Sequence, residues 1–127
     1  MADRKRILVI DDARLVRSFY RSILEKEGYE IDEALNGLEA LEKLLAVPVD
    51  LLIVDINMPK MDGFTFLRTL RGGEAPISVI PALMTSTEAK DSDKDNARAA
   101  GANFYMVKPI RADALIEYVN LLAGRRA

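Results

Sequence analysis

The sequence contains no cysteine and no histidine in 127 residues. Without cysteine there is no disulfide and no thiolate metal site, and the redox compartment stays open. Without histidine the chain lacks the commonest general base and the commonest metal ligand. Long apolar runs are missing too: none approaches the ~20 residues that span a bilayer, so no membrane insertion is expected. There is little excess charge. Eighteen Lys+Arg against twenty Asp+Glu give a net charge of −2, too weak a field to draw the chain to nucleic acid or to a membrane surface. The basic start, MADRKR, leads into only four apolar residues, ILVI. A signal peptide needs a longer apolar region, so a cytoplasmic location is expected. Neither G-x-G-x-x-G nor G-x-x-x-x-G-K-[ST] occurs, which weakens any nucleotide-binding reading. No basic recognition helix or output domain is visible, so no direct nucleic-acid contact is expected.

What is present is an ordinary globular balance, half apolar and 30% charged. The length suits one domain, 1–127, large enough to close a single core. Along the chain the apolar pattern alternates between two periods. Residues 7 to 10 form a short apolar run, and Leu15, Val16, Phe19, Tyr20, Ile23 and Leu24 then recur at helical spacing up to Gly28. Tyr29 and Ile31 alternate with acids as a weaker strand. Asn36-Gly37 reads as a turn before a helix carrying Leu38, Leu41, Leu44 and Leu45. Leu51 to Val54 is the next strand, and Phe64, Leu67 and Leu70 mark a third helix closed by Gly72-Gly73. A strand is expected from Ile77 to Thr85, with Pro81 at its start rather than its middle. A polar helix from about Glu88 to Ala100 ends at Gly101. Phe104 to Val107 is a fifth strand, and Ala112 to Leu122 a last helix.

Strand and helix therefore alternate five times. Parallel strands need crossover connections, so the pattern predicts a doubly wound α/β fold with a parallel sheet covered on both faces. In such sheets ligands bind beyond the carboxyl ends of the strands, where strand order reverses. Those ends carry Asp11 and Asp12 after the first strand, Asp55 after the third, Thr85, Ser86 and Thr87 after the fourth, and Lys108 after the fifth. Three clustered carboxylates repel one another unless a hard cation sits among them, and Mg²⁺ prefers a few carboxylates with waters and phosphate oxygens. A carboxylate beside such a cation can attack phosphorus to give an aspartyl phosphate. A lysine and a hydroxyl can then stabilise charge on the phosphoryl oxygens.

Asp11-Asp12, Asp55 within DINMPKMDG, and Lys108-Pro109 resemble the receiver domain of two-component response regulators. The likeness runs through the whole chain and is closest to stand-alone CheY-like receivers without an output domain. It implies a flavodoxin-like (βα)5 fold with strand order 2-1-3-4-5 and Asp55 as phospho-acceptor. Asp11, Asp12, Asp55 and the main-chain carbonyl of Asn57 become the Mg²⁺ ligands, and Lys108 the partner of the phosphoryl group. Tyr105 matches the family's switch aromatic. The switch hydroxyl falls on Ser86 when counted back from Lys108, with Thr85 as the alternative. Asn57, Thr87 and Glu88 stand where the family tunes phosphoryl lifetime. The implied donor is a phosphohistidine on a sensor histidine kinase or a histidine phosphotransfer protein. The implied output is a downstream protein bound on the face of the fourth helix, fifth strand and fifth helix. The expected state is a monomer or a weak phosphorylation-dependent dimer.

Taken singly, each residue has a plainer reading. Asp12 could cap the first helix, and Asp62-Gly63 is turn chemistry. Lys108-Pro109 could be an exposed lysine before a proline that opens a helix, and Tyr105 a core aromatic. Arg125-Arg126 reads as a solvated tail, and Glu25, Lys26 and Glu27 as a charged helix face. Joint placement at one sheet edge is what favours the active reading. Haloacid-dehalogenase-like phosphatases also use a strand-end Asp with Mg²⁺, but they need a second Asp where this chain has Asn57. A receiver-fold adaptor that works without phosphorylation would lack one of the acids or the lysine, and all are present.

Overall fold

The computed structural model describes residues 4–124, so the expected Arg125-Arg126 tail lies outside the described residues. The strands are β1 (Arg6–Ile10), β2 (Glu30–Ala34), β3 (Leu51–Asp55), β4 (Ala82–Ser86) and β5 (Phe104–Val107). The helices are α1 (Arg14–Lys26), α2 (Gly37–Ala46), α3 (Gly63–Arg71), α4 (Asp91–Ala100) and α5 (Ala112–Leu122). The strands form one parallel sheet in the order β2-β1-β3-β4-β5. This is the doubly wound architecture that the alternation predicts, in the flavodoxin-like strand order that the resemblance implies.

Period-two alternation in the central strands sends their side chains into two separate cores. Leu8, Ile10, Leu52, Val54, Ala82 and Met84 pack with Phe66, Leu67 and Leu70 of α3, and with residues of α2 and α4. Ile7, Val9, Leu51, Ile53, Leu83 and Met106 pack instead with Tyr20 and Leu24 of α1 and Leu115 and Val119 of α5. Each fully buried aliphatic side chain contributes about 1.5–3 kcal/mol relative to exposure. Two continuous cores therefore fix the strand ends from both sides. The edge strands β2 and β5 are only partly buried, which explains their weaker apolar signal.

Two expectations are corrected, and one plainer reading falls away. Ile77–Val79 is one turn of 3-10 helix, not strand, and β4 begins at Ala82. Pro81 has no N–H to give a ladder, yet its carbonyl accepts from Leu52 N at 2.9 Å, so it stands at the strand's start. The polar helix begins at Asp91 rather than Glu88, because Glu88 N donates to Ser86 Oγ at 3.1 Å in the preceding loop. Asp12 does not cap α1. Ala13 stands at that position without a side-chain bond, and Asp11 Oδ1 instead accepts from Ala13 N at 2.9 Å. Elsewhere the caps are local: Asn36 accepts from Glu39 N at 3.0 Å for α2, and Asp62 from Thr65 N at 2.8 Å for α3.

The end of α3 is tied to two connections by Arg71. Its guanidinium donates to the carbonyls of Ser78 (3.0 Å), Ile80 (2.6 Å) and Gly101 (2.9 and 3.1 Å), and to Asn103 Oδ1 at 3.1 Å. All of these acceptors are neutral, and burial lowers the Arg71 pKa. Gly101, at φ +108°, closes α4 in the left-handed region that favours glycine.

Candidate functional site

The carboxyl ends of β1, β3, β4 and β5 converge where strand order reverses, between β1 and β3. Asp11 and Asp12 follow β1, and Asp55 ends β3. Carboxylate oxygens of the three lie within 4.8 Å of one another. Asp11 and Asp55 are buried, while Asp12 is exposed. Lys108, just beyond β5, donates to Asp11 Oδ2 at 3.0 Å and to Asp55 Oδ1 at 3.1 Å. Its own N–H reaches Ser86 O at 2.7 Å, which fixes where the side chain starts.

The electrostatics follow from this crowding. Burial raises the Asp55 pKa, repulsion from Asp11 adds to it, and Lys108 only partly offsets them. Burial works to lower the Lys108 pKa, but its hydrogen bonds and attraction to Asp11 and Asp55 outweigh that and raise it. One ammonium thus faces three carboxylates, a set of hard oxygens with unmet negative charge. That donor set fits Mg²⁺, which favours carboxylate oxygens and keeps waters besides. Thiolate and imidazole donors are absent from the sequence altogether.

β4 ends in two adjacent hydroxyls that point to opposite faces of the sheet. Thr85 pairs in register with Asp55 and lies on the α1 side. Its Oγ1 is buried with no hydrogen-bond partner among the described residues. It neighbours the Tyr20 phenol and works to lower that group's pKa. Burial dominates there and pushes Tyr20 up to about 12. Ser86 faces the other core, and its Oγ accepts from Glu88 N. The Glu88 carbonyl in turn accepts from the Tyr105 hydroxyl at 2.6 Å. Ser86, Glu88 and Tyr105 therefore form one chain of contacts, with the Tyr105 ring packed against the α3 core. Tyr105 is both the core aromatic of the plainer reading and a tether on the loop after β4. Asn57, Thr87 and Glu88 are all exposed around the mouth of the site.

Sequence reasoning missed Arg17 and Glu33. Arg17 Nε pairs with Glu33 Oε1 at 2.8 Å, and its Nη1 donates to the Asp11 carbonyl at 2.9 Å. The available signal was the i, i+4 spacing of Arg17 and Arg21 on α1, facing an acid in β2.

Comparison with known proteins is consistent along most of the chain. Residues 7–120 match the response regulator receiver domain family. The chain is 40% identical over 116 residues to the chemotaxis protein CheY of Bacillus subtilis, covering 91% of this chain and 94% of that one. Its fold is similar to that of the chemotaxis response regulator CheY4 of Vibrio cholerae, with a TM-score of 0.88 and 32% identity, covering 94% of this chain and 99% of the other. A two-component response regulator from Clostridium difficile gives a TM-score of 0.88 at 26% identity, covering 96% and 98%.

Proposed function

Because the chain belongs to the response regulator receiver domain family, we propose that it accepts a phosphoryl group on Asp55 and signals through altered protein contacts. The observation that carries the reading is the Lys108 ammonium bridging Asp11 and Asp55 beside a third carboxylate. An Asp55 oxygen forms the bond to phosphorus while the phosphorus–nitrogen bond of a donor phosphohistidine breaks. The electron pair of that bond stays on the imidazole. With no histidine in the chain, the donor is another molecule, a sensor kinase or a histidine phosphotransfer protein.

Asp11, Asp12 and Asp55, with the Asn57 carbonyl, would hold Mg²⁺, which supplies charge neutralisation at the phosphoryl oxygens when bound. Lys108 exchanges its contact with the Asp55 carboxylate for one with a phosphoryl oxygen. Ser86 is the hydroxyl that answers, because it is wired through Glu88 to Tyr105, whereas Thr85 has no such partner. Motion there reaches α4, β5 and α5. A groove of about 300 Å³ lies on that face, lined in part by Lys94, Arg98, Phe104 and Tyr105, and supports it as the target surface. Exposed polar Asn57 and Glu88 admit water and favour a short-lived phosphoryl group, while Thr87 crowds the mouth. The protein is a signalling component that catalyses its own phosphorylation and dephosphorylation, acting in the cytoplasm as a stand-alone receiver. It is a monomer or a weak phosphorylation-dependent dimer.

The test is incubation with acetyl phosphate and Mg²⁺, read by intact-mass spectrometry. One added phosphoryl group is expected, absent in Asp55→Asn and in EDTA. Wild-type labelling of Asp55→Asn would remove Asp55 from the role.

A further inference from the structure

The loop that aims Asp11 and Asp12 begins where the sheet stops helping it. Asp11 N still donates to Ala34 O at 3.1 Å, continuing the β1–β2 ladder, but β2 ends at Ala34. The Asp11 carbonyl therefore has no strand partner. Arg17 supplies one from α1 at 2.9 Å. The remaining polar atoms of Asp11 are held as well, Oδ1 by Ala13 N and Oδ2 by Lys108.

Arg17 is itself held in place. Its side chain is only 11% exposed, and Glu33 Oε1 takes its Nε at 2.8 Å. Glu33 Oε2 takes Arg21 Nε at 2.7 Å, so one carboxylate is fixed by two arginines. Burial alone would raise the Glu33 pKa, but the two arginines overcome it and hold the pKa low. Arg21 has further contacts of its own, to Ile31 O at 3.0 Å and to Glu25, but none to Asp11. Among the described residues, only the Arg17 side chain joins this network to the acid site.

We infer that Arg17 is a positioning residue for the cation site, holding the Asp11 carbonyl so that Asp11 and Asp12 aim together, with Glu33 as its anchor. The inference rests on the reading of those acids as Mg²⁺ ligands. Its physical basis is that groups behind a ligand fix the ligand's orientation, and their loss loosens the metal. A lysine cannot replace the arginine, because one ammonium lacks the planar fork that spans a carbonyl and a carboxylate at once.

Charge and geometry make opposite forecasts, and this separates them. Arg17→Met removes a positive charge near the acids, so charge alone would tighten Mg²⁺. Arg17→Lys keeps the charge, and charge alone would leave affinity unchanged. Positioning requires both to weaken Mg²⁺ by on the order of tenfold. Glu33→Gln should weaken it too, and Arg21→Met should stay within about twofold as the control, since its partner Glu33 keeps Arg17. The assay is Mg²⁺ titration of the purified protein followed by amide NMR, alongside urea unfolding in EDTA. In EDTA, the Asp11, Asp12 and Ala13 amides should shift in Arg17→Lys but not in Arg21→Met. Weakened Mg²⁺ binding in both Arg17 variants, with Arg21→Met spared, supports the inference. An unchanged affinity in Arg17→Lys, or a tighter one in Arg17→Met, overturns it. So does an equal loss in Arg21→Met, which would mean general loosening of α1. If the wild type itself shows no Mg²⁺ response that Asp12→Asn removes, the acid-site reading fails first.

Discussion

Replacing Gly63 by alanine tests how the strand that carries Asp55 is held. Gly63 opens α3, and its N–H donates to Ile56 O at 2.8 Å, folding the chain back against the end of β3. A Cβ there would lie 2.4 Å from the Asp55 carbonyl oxygen and 2.9 Å from Ile56 Cα. Contacts between such atoms relax at around 3.5 Å, so the acceptor's own peptide must move by about 1 Å. Both neighbours are backbone, and no side chain can swing aside. Overpacking of this kind costs about 1–3 kcal/mol, and weakening the Gly63–Ile56 bond about 1 kcal/mol more. Alanine regains up to about 1 kcal/mol of helix propensity. The net expectation is a loss of about 1–3 kcal/mol in urea unfolding. Asp55 phosphorylation by acetyl phosphate should slow by on the order of tenfold or more, because a 1 Å displacement at a reacting group is costly. Gly72→Ala is the control. Its added Cβ would meet nothing nearer than 3.5 Å, and Gly72 already has φ −79°. It should gain about 0.4–1 kcal/mol and label normally. If Gly63→Ala matches the wild type in both measurements, or the two variants behave alike, the close approach does not hold the acceptor.

Three further outcomes are expected. Thr85→Val removes a buried hydroxyl with no partner and should stabilise by about 1 kcal/mol while leaving switching intact; Ser86→Ala should still accept phosphate but lose much of the beryllofluoride-induced NMR shift of Tyr105 and α4. The reverse pattern would transfer the switch to Thr85. Tyr20 holds its proton up to about pH 12 when folded, against 10.0 for a free phenol, so ionisation favours the unfolded chain across that window. Its contribution is complete below pH 10 and lost on the way to 12, so the wild type should lose about 2–3 kcal/mol relative to Tyr20→Phe. Parallel stability curves for the two proteins would refute this. Asp12→Asn should weaken Mg²⁺ at least about tenfold and leave the metal-free protein no less stable, since the exposed carboxylate mainly repels its neighbours; thermal unfolding with and without Mg²⁺ reads both effects.

The central strands were legible because each is buried on both faces, so their apolar runs are unbroken. Asp11, Asp55 and Lys108 were legible for the converse reason: each is the polar residue at which such a run stops. Ile77–Val79 misled because a β-rich composition carries no sign of a 3-10 turn between Pro76 and Pro81. Thr85 and Ser86 are chemically alike in sequence. Only the pleat separates them, sending one beneath α1 and the other toward Tyr105. Arg17 and Glu33 left only the faint signal of two arginines four apart, since their partnership crosses from helix to edge strand and ends on a main-chain carbonyl. Backbone acceptors leave no trace in a sequence.

On its β4–β5 side, the two ends of the sheet differ in what holds them. At the acceptor end, Lys108 depends on carboxylates that acid can discharge. At the other, Arg71 binds only amide oxygens, which no ordinary pH or salt concentration can neutralise. The β4–β5 side thus has an ionic pole and a permanent pole, while on the β1–β2 side the far end still relies on Arg6 paired with Glu30 and Asp32. As the medium turns acidic, loosening should begin at the ionic pole and travel toward Arg71. Amide exchange near Ser78, Ile80 and Gly101 should be the last of the loop protection to fade. The acidic end of β4–β5 should therefore respond to its surroundings while the Arg71 end stays fixed.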